Sequence, residues 1–436
     1  MFARIAALAF GAAMTVAVTL PSRAEAVNIQ EVRSPGGITA WLVEDYTVPI
    51  VTMNFAFRGG SSQDGDDKAG LANLMSGLLD EGSGELDSKA FQTKLEDLNI
   101  DMSFDAARDA FYGNLRTLVT NLDSALDLTR LAVTEPRFDD EAVARIRGQV
   151  LSNLRRGETD PNEIASRAFM KTLYGDHPYG RPSEGTIQTV AALTADDLRA
   201  FHDRVIAQDN LLVVAVGAID RARLAAALDH VFGALPAKAD LKPVPEVTAR
   251  SGEVTHATLP VPQTVIRIGG PGIKRDDPDF IPAFVANHII GGGTFSSRLY
   301  KEVREKRGLS YSVGTSLIAF DHSGAWVAAA ATRADAAQTA LDIMTSKVRR
   351  FAEEGPTEAE LAEAKDFLVG NYALRFDASQ KIARQLLGIR LDRLGIDYVQ
   401  KRNDLIRAVT AEDVRRAARR VFGGEPSVVT VGIAQS

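Results

Sequence analysis

Apolar positions recur along this chain with two different periods, and the switches between them outline its elements. Alternation of apolar and polar residues predicts strands over residues 38–43 and 50–57, and again over 254–259 and 264–268. Apolar residues spaced three and four apart predict helices over 66–79, 88–98, 122–134 and 140–156. A second helical set follows over 278–290, 296–306, 335–353 and 357–372. Strands in runs followed by helices in runs indicate an α+β fold, an antiparallel-rich sheet with helices on one face.

The ends of the two sets repeat each other. Leu193-Thr194-Ala195-Asp196-Asp197-Leu198 leads through Arg204-Val205 to Leu212-Val213-Val214-Ala215-Val216-Gly217. Val409-Thr410-Ala411-Glu412-Asp413-Val414 leads through Arg420-Val421 to Val428-Val429-Thr430-Val431-Gly432. In both, a threonine N-cap with acids in the first turn starts a helix, and a β-branched strand closes the unit. The expectation is two homologous domains made by duplication, 27–233 and 253–436. Between them, 234–252 carries Pro236, Pro243 and Pro245 among charged residues. Prolines remove donors that a helix or central strand needs, so this segment is expected to be a linker. Halves joined in this way can face each other like a clamshell.

A hydrophobic content of 45% with 25% charged residues is enough for a full core. The net charge of −7, with no basic stripe, argues against nucleic acid and against an anionic membrane surface. The first 26 residues stand apart: Arg4, an uncharged apolar run over 5–20, Pro21, then Ala24-Glu25-Ala26. That run is short of the roughly 20 residues a bilayer span needs, and the pattern predicts a cleavable signal peptide. With no second such run and no cysteine, the expected location is a bacterial periplasm, free of the membrane once the leader is cut. Thiol catalysis and cysteine-ligated metals are excluded.

Gly59-Gly60-Ser61-Ser62-Gln63-Asp64 through Lys68-Ala69-Gly70-Leu71-Ala72 resembles the pitrilysin/insulinase family of zinc peptidases. In active members this stretch runs into H-x-x-E-H, whose two histidines share a helix face on one zinc while the glutamate activates water. The resemblance places Asn73 and Gly77 at the histidine positions and Ser76 at the base. Matching Glu158-Thr159-Asp160-Pro161 to the family's acidic stretch before a proline places the third ligand position at Asn153. Neutral amides, a glycine and an unassisted serine cannot fill those roles, so no metal or other cofactor is expected on this chain. Of the six histidines, His177, His202, His230, His256, His288 and His322, none has another three to five residues away. His177, in His177-Pro178-Tyr179-Gly180, is expected to make structural hydrogen bonds, and His288 to be a core residue.

The second half keeps a different part of the pattern. Gly291-Gly292-Gly293-Thr294-Phe295-Ser296-Ser297-Arg298-Leu299-Tyr300 runs into Lys301-Glu302-Val303-Arg304-Glu305-Lys306-Arg307-Gly308-Leu309-Ser310-Tyr311. The resemblance implies that Arg304 and Tyr311 approach a substrate held opposite a zinc. A guanidinium forks onto carbonyl oxygen, and a phenol donates where negative charge develops. No Gly-Lys-Ser/Thr follows the glycines, so Gly291, Gly292 and Gly293 are expected to form a flexible substrate-facing loop, not a phosphate cradle. The resemblance therefore implies a helper subunit that joins a relative carrying H-x-x-E-H, as a heterodimer or larger assembly. Zinc would sit in that partner, and unstructured peptides would be cleaved between them. The alternative is a catalytically inert peptide-binding or scaffold protein of the same fold.

Overall fold

The computed structural model describes residues 27–433, so the expected leader, 1–26, lies outside the described residues. The first half has strands β1 (Gln30–Arg33), β2 (Thr39–Glu44), β3 (Ile50–Arg58), β4 (Gly82–Ser83), β5 (Leu86–Asp87), β6 (Asp101–Ala106), β7 (Ala110–Leu118) and β8 (Leu211–Gly217). Its helices are α1 (Leu71–Ser76), α2 (Ser88–Asp97), α3 (Leu122–Thr134), α4 (Asp140–Gly157), α5 (Pro161–Tyr174), α6 (Ile187–Ala192), α7 (Ala195–Val205) and α8 (Arg221–Phe232). The second half has β9 (Val254–Thr258), β10 (Gln263–Pro271), β11 (Ser310–Phe320), β12 (Ser323–Arg333) and β13 (Ser427–Gly432). Its helices are α9 (Phe280–Asn287), α10 (Ala337–Glu354), α11 (Glu358–Gly370), α12 (Ser379–Leu391), α13 (Tyr398–Ala408) and α14 (Ala411–Phe422). Among the described residues no helix is long and apolar enough to cross a membrane.

The two large sheets run β1-β2-β8-β3-β7-β6 and β11-β12-β10-β13-β9. β3 and β10 each pair antiparallel with the second strand of a hairpin on one side and with the closing strand on the other. The parallel pairs also correspond, β2 with β8 and β9 with β13. The second sheet thus repeats the first strand for strand, β1 excepted. Thr194 and Thr410 cap α7 and α14 in the same way, each exchanging bonds with an aspartate three residues on.

Each half packs its own helices on one face of its sheet, as the sequence pattern implies. The other face is not bare. From the second half, α12 sets Ile382, Ala383, Leu386, Leu387 and Ile389 on Trp41, Val43, Ala56, Val214 and Val216 of the first sheet. From the first half, α5 returns Ala165, Phe169, Met170 and Leu173 to Val265, Ala325, Val429 and Val431 of the second. This reciprocal cover explains why β8 is buried along nearly its whole length, with no alternation. Gly269 on β10 has no side chain because a Cβ there would lie 2.6 Å from the Phe169 ring.

Polar contacts latch the same seam. Arg58 reaches Asp321 at 3.1 Å and the Leu391 carbonyl at 2.8 Å. The Tyr179 hydroxyl donates to Asp109 at 2.7 Å and accepts from the His322 amide at 3.1 Å. Arg390, on α12, donates to the Val213 carbonyl at 2.6 Å, and burial pushes its guanidinium down to about 10. Between α8 and β9 there is neither helix nor strand. That stretch is pinned to both halves: Gln63 exchanges two hydrogen bonds with Lys242, and the Val247 amide donates to the His322 carbonyl. Within this chain the clamshell is latched shut.

Because Leu386 is fully buried against the opposite half, Leu386→Ala is expected to cost about 2–5 kcal/mol, as large-to-small core changes do. Chemical denaturation measures that loss, and hydrogen exchange should show faster opening of β3 and β8, which lie in the other half.

Candidate functional site

The helix that would carry a zinc motif is set by Asp64. This buried carboxylate accepts from the Gly70 amide at 2.9 Å and the Ala72 amide at 3.1 Å, fixing the start of α1. Burial pushes its carboxyl up to about 7, against the pull of those donors. Gly70 adopts φ 93°, a left-handed conformation that a side chain resists, so the helix expected from residue 66 begins only at Leu71.

Asn73 on α1 and Asn153 on α4 line one cleft of about 480 Å³, so two positions matched separately in the sequence come together in space. Ser76 is buried and its hydroxyl donates back to the Asn73 carbonyl at 2.8 Å, leaving it tied to its own helix. Gly77 closes α1, and a Cβ there would lie 3.1 Å from Ile146 Cγ2. The Asn153 amide oxygen accepts from Arg156. At the family's ligand positions the structure therefore has two neutral amides and no imidazole, and an isoleucine crowds the place of the second histidine. The family's zinc does not fit these residues. Among the described residues no group of three or more His, Cys, Asp or Glu is placed to hold a metal ion.

The histidines have structural partners. His177 accepts from the Tyr179 amide at 3.1 Å through Nδ1, and its Nε2 lies 2.9 Å from the Pro245 carbonyl, fastening the interdomain segment. His288 is buried and stacks on Phe367 with ring centres 5.0 Å apart, and burial holds its imidazole below the usual range.

In the second half the structure brings Arg304 and Tyr311 into contact. The guanidinium lies 4.6 Å from the Tyr311 ring centre and 4.9 Å from that of Tyr300, whose hydroxyl accepts from Arg304. Such stacking holds a cation in place without neutralising it. Residues 300–305 form a widened, π-type turn, with the Lys306 amide donating to the Lys301 carbonyl at 3.0 Å. Nearby cations are spoken for: Lys306, Arg307 and Lys347 all converge on Glu302, pulling its carboxyl down to about 2. Arg304 has no carboxylate partner among the described residues, and Tyr311 is 83% exposed. A guanidinium and a phenol thus stand side by side, open to a ligand.

The glycine run is not an open loop. Residues 288–292 continue α9 as a π-type turn. A Cβ on Gly291 would meet Thr315 at 2.6 Å, and one on Gly293 would meet the His288 carbonyl at 2.8 Å. Gly291 is needed for close packing against β11, and Gly292 and Gly293 for the tight turn over Asn287 and His288, which corrects the expectation of a flexible segment. The sequence reading passed over Tyr300, although its four-residue spacing from Arg304 was a visible signal. It also passed over Ile146, whose contact with Gly77 left no trace in the sequence.

Comparison with known proteins gives two family matches: insulinase (peptidase family M16) over residues 40–187, and the peptidase M16 inactive domain over residues 192–368. An uncharacterized zinc protease of Streptomyces coelicolor is 29% identical over 415 residues, covering 93% of this chain and 90% of its own length. A Helicobacter pylori protein described as a non-peptidase homolog is 27% identical over 368 residues, covering 83% and 84%. A crystal structure described as a peptidase M16 inactive domain from Pseudomonas fluorescens superposes with a TM-score of 0.88 at 30% identity, covering 94% of this chain and 99% of that one.

Restoring a histidine at the crowded position tests the packing argument. Gly77→His is expected to destabilise the fold by about 1–3 kcal/mol through overpacking, with Ile146→Ala relieving part of the loss, as read from the thermal midpoint.

Proposed function

This chain belongs to the insulinase (M16) family of peptidases as a non-catalytic member, and from that premise we propose that it is the helper subunit of a heteromeric zinc metalloendopeptidase. The observation that carries the proposal is an asymmetry between the halves. Asn73, Ser76, Gly77 and Asn153 offer nothing to a metal, whereas Arg304 and Tyr311 are held together, uncompensated and open.

The partner would be a family member with an intact H-x-x-E-H helix, met in the periplasm. Within the assembly Arg304 would fork onto the carbonyl oxygen of a bound peptide, and the Tyr311 hydroxyl would donate to the same region. Both donors are most useful where negative charge develops, since they are in place before the reaction starts. Zinc chemistry would belong wholly to the partner. Because the two halves are latched to each other, an unstructured peptide would be enclosed between subunits and not within this chain.

The second reading, an inert peptide-binding or scaffold protein, is supported by the completeness of the Tyr300–Arg304–Tyr311 cluster without any partner. The two readings separate in one experiment. Mixing this chain with a family member from the same organism that carries H-x-x-E-H is expected to give peptidase activity that neither has alone. Arg304→Ala should then lower that activity by about 100- to 1000-fold, the usual cost of losing such a donor, with Tyr311→Phe also impaired. A confirmed complex with no gain in activity would remove the helper reading and leave the inert one.

A further inference from the structure

A cavity of about 850 Å³ lies in the second half, where α9, α12 and the connection from α11 meet the edge strand β11. It is the second-half counterpart of the Asn73–Asn153 cleft, which lies among α1, α4 and α5. In a chain of net charge −7, its wall is basic. Arg275, Arg375, Lys381, Arg384 and Arg402 line it against a single acid, Asp392.

Two of those cations are already paired: Arg275 with Asp392 at 3.2 Å, and Lys381 with Asp377 at 2.9 Å. The others have no carboxylate among the described residues. Arg375 reaches only Gln385, at 3.4 Å, and Arg384 is exposed with no ion pair. Arg402 is 7% exposed, stacked 4.1 Å from the Tyr372 ring centre, and donates only to the Leu368 carbonyl and the Asn403 side chain. A buried guanidinium without a counter-charge is costly unless an anion comes near it.

Two further groups in the wall are unsatisfied. Asn287 and Tyr372 are 8% and 5% exposed, and neither the Asn287 amide oxygen nor the Tyr372 hydroxyl has a partner. Both atoms are sealed within the wall and not offered to a ligand, so the charged side chains carry the case for the cavity. The rest of the wall is apolar, with Phe280, Phe284 and Leu317 prominent. β11 ends its sheet, so its outer edge has no strand beside it.

We propose that this cavity binds the C-terminal end of a peptide. The free carboxylate meets Arg375 and Arg384 in the field of Arg402, and an apolar terminal side chain rests on Phe280 and Phe284. The peptide backbone lies along the open edge of β11, which supplies Ser316, Leu317 and Ala319 to the wall. A peptide fits better than a fatty acid because the open edge of β11 offers backbone donors and acceptors that a hydrocarbon chain would leave unused. The volume lies within the range of small-ligand pockets, roughly 300–1,000 Å³. The site is complete in one chain and does not depend on pairing with a zinc-bearing partner.

The test uses the mature chain alone and fluorescence anisotropy of N-terminally labelled octapeptides ending in leucine, with either a free C-terminus or a C-terminal amide. The free acid is expected to bind at least ~10-fold more tightly than the amide, as a charged group lost from a pocket implies. The double substitution of exposed residues, Arg375→Gln with Arg384→Gln, should abolish that difference while circular dichroism and the thermal midpoint stay unchanged. Equal affinity for acid and amide, or a preference that survives the double substitution, overturns the proposal. So does binding of dodecanoate, lost in the double variant, without any binding of the peptide acid. Either result leaves the mixing experiment with the zinc-bearing partner untouched, so the two ideas fail separately.

Discussion

The structure depends on the reciprocal cover between its halves. A sheet with helices on one face only leaves a second apolar face exposed, and each half of this chain has one. Trp41, Val43, Val214 and Val216 would meet water without α12, and Val265, Val429 and Val431 without α5. Burial of each such side chain contributes roughly 1.5–3 kcal/mol relative to exposure, so two complete layers outweigh any single polar contact at the seam. Arg58, Asp109, Tyr179 and Asp321 then fix the relative placement of surfaces that apolar packing alone would leave free to slide.

Much of this was legible in the residues. The capped helix and closing strand at 194–217 and 410–432 gave the duplication, and the helix over 122–134 appears with those same bounds. The hairpins β6–β7 and β11–β12 were not legible. β12 carries Ala328, Ala329, Ala330 and Ala331, a run that favours helix by local propensity, yet it lies between two antiparallel partners. Long-range pairing overrode local preference there. The exchange itself was also invisible, because α5 and α12 show only ordinary amphipathic spacing, which says that a face is buried but not against what.

At the candidate site the residue identities were readable and their surroundings were not. That Asn73 and Gly77 cannot ligate zinc follows from their chemistry alone. That Ile146 sits against Gly77 is visible only in the structure, and a side chain at position 77 would have to displace it. The glycine run 291–293 makes the opposite point. Its composition suggested mobility, whereas its glycines are small because Thr315 and the His288 carbonyl press against them. Glycine marks close approach as readily as it marks freedom.

The mutual cover of the two sheets also bears on the duplication. A single copy of the repeated unit would have exposed one sheet face and offered one helix with nothing of its own to cover. Two such units set face to face and trading helices cover each other's open faces, which is the arrangement the halves of this chain show. Because both units lie on one chain, they need not be identical. One half carries a basic pocket beside α12 and the other a cleft with amides at the zinc-ligand positions, while the traded helices tie the stability of each half to the other.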